Sequence, residues 1–162
     1  MPTVSNTSPL INLAIIGRLD LAWAQLGSVL VPPAVVEEFR LEEDRPGSSS
    51  LRQAIEEGRI VEKEPSDDPL IRTLHQDLDL GESEAIALAV EKEAGLILLD
   101  EREGRRRARN VGLEVTGLLG ILIRADREGN LSSLSEAIRQ LEEKAGFWIS
   151  DRLRDQILGT NP

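Results

Sequence analysis

Asn6, Glu38, Glu82 and Asp100 are the residues whose type and setting could do chemistry together. Asn6 follows the short stretch Thr3 to Ser5, and Asp100 ends the unbroken apolar run Leu96 to Leu99. An apolar run of that kind reads as a strand buried on both faces, and open α/β sheets bind ligands beyond the carboxyl ends of their strands. The plain alternative for Asp100 is the N-cap of the next helix. In helical projection Glu82 lines up with Ala85, Ile86 and Ala89, while Glu84 points with Leu88 and Glu91 to another face. Glu82 is therefore the inward carboxylate, unless it is simply a first-turn glutamate favoured by the helix dipole. In an earlier helix Val35 and Phe39 face the core, Glu38 borders their stripe and Glu37 lies nearly opposite. Glu38 is the better placed of the two, with Glu37 its alternative and a solvated surface role the bland reading of either.

If these four converge at one sheet edge, three carboxylates repel one another unless a divalent cation neutralises them. The chain has no cysteine and one histidine, His75, so thiolate and histidine-rich metal sites are excluded. Oxygen donors alone select Mg²⁺ or Mn²⁺ over zinc or copper. A cation held this way can activate water and stabilise charge on a phosphate, which points to metal-dependent phosphodiester hydrolysis. Dinucleotide and nucleoside-triphosphate binding are disfavoured, because neither Gly-x-Gly-x-x-Gly nor Gly-x-x-x-x-Gly-Lys occurs. A receiver-type signalling domain would need paired acids after the first strand and a lysine after the fifth, and has neither here.

Charge narrows the partners. With 19 Lys plus Arg against 29 Asp plus Glu the net charge is −10, which disfavours nonspecific coating of nucleic acid. Against that background Arg102, Arg105, Arg106, Arg107 and Arg109 form one basic island. Arg102, Arg105 and Arg106 are the candidate phosphate or RNA contacts, since guanidinium forks suit phosphate oxygens; ion pairs on a solvated helix face are the alternative. Absence of cysteine fits a reducing cytoplasm, and no apolar run is long enough to span a membrane.

Short apolar runs alternate with amphipathic helices over 162 residues, which predicts one domain with an α/β fold and a mainly parallel five-stranded sheet. The strands fall at 3–5, 29–31, 60–62, 96–99 and 113–115. Pro9 suits the first position of a helix running to Ile16, and Gly17 stops it. Further helices fall at 19–26, 34–41, 48–57, from Asp68-Pro69 to Asp77, from Gly81 to just before Gly95, from Asp100 to Gly112, and at 118–127. Ser133 with Glu136 forms a capping-box pattern for a helix to Lys144, followed by an extended 146–150 and a last helix at 151–158. Residues 117–162 are expected to form a helical extension packed on the rest. Phe147 and Trp148 are expected to seal that tail onto the core rather than to stack on bases.

Four segments then resemble, in order, the motifs of PIN-domain nucleases: Ser5-Asn6-Thr7-Ser8-Pro9-Leu10-Ile11, Val31-Pro32-Pro33-Ala34-Val35-Val36-Glu37-Glu38, Gly81-Glu82-Ser83-Glu84-Ala85-Ile86-Ala87-Leu88-Ala89 and Leu98-Leu99-Asp100-Glu101. The continuation from Val115-Thr116-Gly117 and Gly146-Phe147 is similar to the branch called DUF3368. The resemblance implies a three-layer α/β/α sandwich, Mg²⁺ or Mn²⁺ dependence and endoribonuclease activity. It also implies similarity to VapC-type toxins, with an RNA substrate, a cognate antitoxin protein inserting into the groove, and a homodimer. The family's acids fall on Asn6, Glu38, Glu82 and Asp100, as catalytic and metal-holding residues, and its polar support falls on Thr7 and Ser8. Three positions depart from the pattern: Asn6 stands for an aspartate, Glu82 for the more usual aspartate, and Leu98 where many members carry threonine. The neutral Asn6 raises a second reading, a noncatalytic PIN-fold module whose acidic groove takes a basic partner.

Overall fold

The computed structural model describes residues 1–159; residues 160–162, the end of the expected domain and extension, lie outside them. Five short strands, β1 Thr3–Ser5, β2 Val29–Val31, β3 Ile60–Glu62, β4 Leu96–Leu98 and β5 Val115–Thr116, form one parallel sheet in the order β3-β2-β1-β4-β5. The chain starts at the centre, builds outward through β2 and β3, then returns to β4 beside β1 and ends the sheet at β5. The direction of building reverses between β1 and β4, and that switch point is where ligands bind in such sheets.

Strand side chains alternate between two cores, as a period of two demands. Val29, Val31 and Leu98 join a core built with α1 Thr7–Ile15, α2 Leu19–Leu26, α3 Pro33–Phe39 and α4 Ser48–Glu56. Leu118, Ile121 and Leu122 of α8 Leu118–Arg127 and Leu134, Ala137 and Ile138 of α9 Leu134–Gln140 belong to the same core. Val4, Ile97 and Leu99 face the other side, against α5 Asp68–Leu74, α6 Leu80–Glu91 and Ala108 of α7 Arg102–Asn110. Helices on both faces of a parallel sheet make the three-layer α/β/α sandwich that the resemblance implies, and the parallel sheet is the one the apolar pattern predicts. No helix among the described residues is long and apolar enough to cross a membrane.

Several boundaries differ from expectation for local reasons. Helix α1 starts at Thr7, two residues before Pro9, with Asn6 as N-cap. Helix α3 stops at Phe39 because Arg40 turns into the left-handed region, φ 50°. Helix α5 is capped by Asp67, which accepts from the Leu70 N–H at 3.0 Å, and ends at Leu74 rather than Asp77. Strand β5 begins at Val115, not Leu113, because the Leu113 N–H still closes α7 by donating to the Ala108 carbonyl at 3.0 Å. A π-helical turn, Leu141–Ala145, extends α9, and α10 Asp151–Leu158 ends the described chain. Helix α6 is buried on more than its Ala85-Ile86-Ala89 stripe: Ser83, Ala87 and Leu88 are covered too, while Glu84 is half-buried and Glu91 exposed, so only Leu88 of the other face is interior.

Candidate active site

Strands β1 and β4 are neighbours, and their carboxyl ends bring Asn6 and Asp100 to one edge of the sheet. The Asn6 N–H donates to the Leu98 carbonyl at 2.9 Å, which ties the two strand ends together. Asn6 sits at the N-cap of α1, yet its side chain makes no capping bond. Pro9, the third helical residue, has no N–H for it to accept. Its amide oxygen Oδ1 is buried without a partner.

Asp100 is not the N-cap of α7; Glu101 holds that position. Asp100 Oδ1 instead accepts from the Leu118 N–H at 2.9 Å, satisfying the start of α8. Its other oxygen, Oδ2, is buried and unpartnered. Burial raises the carboxyl above the usual aspartate range, opposed by the Leu118 N–H and the Arg105 guanidinium. The Ser8 hydroxyl lies near enough to favour the Asp100 charge weakly. It makes no hydrogen bond of normal geometry, and Ser8 Oγ is itself buried and unpartnered.

Asp79 caps α6 by accepting from the Glu82 N–H at 2.8 Å, which starts the helix one residue before Gly81. Glu82 then turns inward, only 5% exposed, with Oε2 unpartnered. Burial first, and the Asp79 charge second, push its carboxyl up to about 7. Glu84 has another task, accepting from the Ala34 N–H at 3.2 Å at the start of α3. Glu38 accepts from the Thr7 hydroxyl at 2.9 Å, so α3 is tied to the residue following Asn6. Its carboxyl is raised by burial, against the Thr7 hydrogen bond. Glu37 lies beside it on the wall of the same groove without sharing Thr7.

Each carboxylate rests on a glycine: Gly81 and Gly117 stand in the quoted motifs without a role assigned beside an acid, and Gly104 stands outside them. A Cβ on Gly104 would stand 2.5 Å from Glu82 Oε2, and one on Gly117 or Gly81 would collide with Asp100 Oδ1 or Glu38 Oε1. Gly81, Gly104 and Gly117 lie 43, 22 and 17 residues from the acids they meet, so no local pattern marks the contacts.

Among the described residues, no three of His, Cys, Asp or Glu gather closely enough to hold a metal ion by themselves. The unpartnered oxygens are instead two carboxylates, an amide and a hydroxyl: Glu82 Oε2, Asp100 Oδ2, Asn6 Oδ1 and Ser8 Oγ. A buried polar atom without a partner costs about 1–3 kcal/mol, so four of them are a notable expense for a folded chain. All four are hard donors that suit Mg²⁺ or Mn²⁺. Glu38 is not among them, because its side chain is exposed at the groove wall and its free oxygen is open to water.

Two grooves flank this point. One, of about 620 Å³, is lined by Asp100, Arg102, Arg105, Arg109, Thr116, Gly117, Phe147 and Trp148, among others. The other, of about 580 Å³, is lined by Thr7, Glu37, Glu38, Arg40 and Glu42 with apolar neighbours. Arg105 donates to the Leu99 carbonyl at 3.1 Å, next to Asp100. Arg106 is not in the groove wall; it pairs with Glu103 at 2.7 Å on the exposed side of α7. Arg109 takes the place expected for it, as the spacing 102, 105, 109 follows one helix face. Phe147 packs on the core as expected, but Trp148 is 72% exposed and does not seal the tail.

A parallel sheet with polar residues at the β1/β4 switch point defines the class to which this site belongs. The chain belongs to the PIN-domain family: the family model DUF3368, a PIN domain, matches residues 2–160. PIN domains are in general nucleases. Among curated proteins, none matches the chain.

Proposed function

We propose that the protein is an endoribonuclease dependent on Mg²⁺ or Mn²⁺. The observation that supports this reading is the set of four buried, unpartnered oxygens, of which those of Asn6 and Asp100 stand at the β1/β4 switch point. Glu82, Asp100 and Asn6 would hold the cation, with Ser8 contributing a hydroxyl. When bound, the cation supplies an activated water and neutralises charge on the scissile phosphate. Arg105, fixed by the Leu99 carbonyl, is positioned to attract a phosphate toward Asp100. Glu38, with its carboxyl raised by burial, can accept a proton at Oε1 while Thr7 orients Oε2.

Cleavage of a mixed RNA panel by purified protein with Mn²⁺ or Mg²⁺ tests the reading, with EDTA as control. Expected is metal-dependent cleavage that Asp100→Asn lowers at least about a hundredfold. Folded protein that binds Mn²⁺ and cleaves nothing would overturn it. In that case the acidic groove lined by Glu37, Glu38 and Glu42 favours a second reading, a noncatalytic module for a basic partner segment. Under the nuclease reading the same groove suits a VapC-type antitoxin whose basic residues would cover Glu38. The homodimer belongs to this reading as well, and light scattering measures it.

A further inference from the structure

The groove on the β5 side of Asp100 combines Arg105 with features that the cleavage chemistry does not use, Arg102, Arg109 and Trp148. Arg102, Arg105 and Arg109 share one face of α7 and span about 10 Å along its axis, counted at 1.5 Å per residue. Neither Arg102 nor Arg109 has a carboxylate partner among the described residues, whereas Arg106 and Arg107 on the neighbouring face are paired with Glu103 and Asp77. In a chain of net charge −10, that leaves a local cationic stripe beside the site. Opposite it runs the extended segment after Gly146, which adopts a left-handed φ of 67° to leave the π-helical turn. Phe147, Trp148 and Ile149 all line the groove; Phe147 and Ile149 are half-buried against the core, which leaves Trp148 between them exposed. An indole 72% exposed between two anchored neighbours is a presented ring rather than a frayed end.

We propose that this groove takes a single-stranded RNA flank, with Trp148 stacking on one unpaired base and Arg102, Arg105 and Arg109 contacting the adjoining phosphates. The identity of the polymer rests on the nuclease reading; the recognition mode rests on the groove. Aromatic faces accept any base, and only an unpaired strand offers a free base face beside its phosphates. The stacked base would fix the strand's position relative to Asp100, which lines the same groove. Trp148 is therefore a positioning residue for the bond to be cut.

The test measures binding separately from cleavage, using full-length protein in EDTA with labelled single-stranded adenine oligonucleotides and a duplex of equal length. Tryptophan emission, excited where phenylalanine does not absorb, is expected to fall as single strands bind, and Trp148→Phe to abolish that change while leaving Trp23 unaltered. Trp148→Ala is expected to weaken single-strand binding about tenfold, with Trp148→Phe restoring most of it. Arg109→Ala is expected to weaken it further and to flatten its salt dependence. Equal affinity of Trp148→Ala and wild type, or preference for the duplex, overturns the proposal. So does an emission change that grows with protein concentration alone, which would mean that a second copy of the chain fills the groove. Trp148-dependent binding without cleavage would sink the nuclease reading and leave this one standing; cleavage with unaltered affinity in Trp148→Ala would do the reverse.

Discussion

Asn6 carries the sharpest consequence at the scale of one residue. It supplies a buried oxygen but no charge, so Glu82 and Asp100 are the two carboxylates among the residues with buried unpartnered oxygens. Asn6→Asp is expected to tighten Mn²⁺ binding about tenfold by calorimetry, equivalent to ~1.4 kcal/mol, and to increase cleavage. The same substitution should lower the melting temperature of the metal-free protein above neutral pH, where a third buried charge has nothing to offset it. Glu82 makes a related point about pH. Its carboxyl rises from 4.5 to about 7 on folding, so between those values the native state holds a proton that the unfolded chain has released. Stability of the metal-free protein is then full below the lower value and falls as pH rises through the upper one. Thermal melts from pH 4.5 to 8 should show this decline, and Glu82→Gln should reduce it, leaving the variant more stable than wild type at the alkaline end.

At the scale of elements, the site depends on how closely three helix starts approach the sheet. The starts of α6, α7 and α8 each bring a glycine against a carboxylate: Gly81 against Glu38, Gly104 against Glu82 and Gly117 against Asp100. Gly104→Ala is expected to displace the Glu82 carboxylate while retaining the fold, because the colliding atom ends a flexible side chain. Mn²⁺ affinity should fall at least about tenfold, with the melting temperature changed by only a few degrees. Wild-type metal affinity in that variant would show that Glu82 Oε2 faces something other than the cation. Asp100 joins two elements more rigidly, since Oδ1 satisfies the start of α8 while Oδ2 remains free. Asp100→Asn should therefore remove activity with a modest loss of stability, because an amide oxygen can still accept from the Leu118 N–H.

At the scale of the molecule, charge is divided rather than merely negative. One groove carries Glu37, Glu38 and Glu42 with Thr7, the neighbour of Asn6; the other carries Arg102, Arg105 and Arg109 with Asp100. A polyanion is repelled by the whole at long range and attracted only along one stripe at short range. If three phosphates are contacted, the logarithm of RNA affinity should fall with the logarithm of salt at a slope of about −2. A slope near zero would remove the arginine stripe from the interface, and a much steeper one would require cations from elsewhere on the surface.

The local part of this protein was legible in its sequence. Strand β1, β2 and β3, helix α2, α8 and α10, and the capping Ser133 follow from apolar periodicity and turn chemistry, which act within a few residues. The inward phase of Glu82 and the position of Asp100 at a strand end were readable for the same reason. Helix ends were less so, since Asp79 and Asp67 compete with equally good neighbouring caps and only the folded backbone selects between them. Distance along the chain hid the rest. That Asp100 would satisfy α8 rather than α7, that Thr7 would hold Glu38, and that Trp148 would stand exposed depend on contacts between residues 18 or more apart, or on which neighbour reaches the core first. The sequence by itself determined the alternation of buried strands and helices that makes a parallel α/β sheet, because burial belongs to residue types. Tertiary structure alone decided which oxygens remain without partners, because a hydrogen bond is satisfied or lost only when distant elements meet.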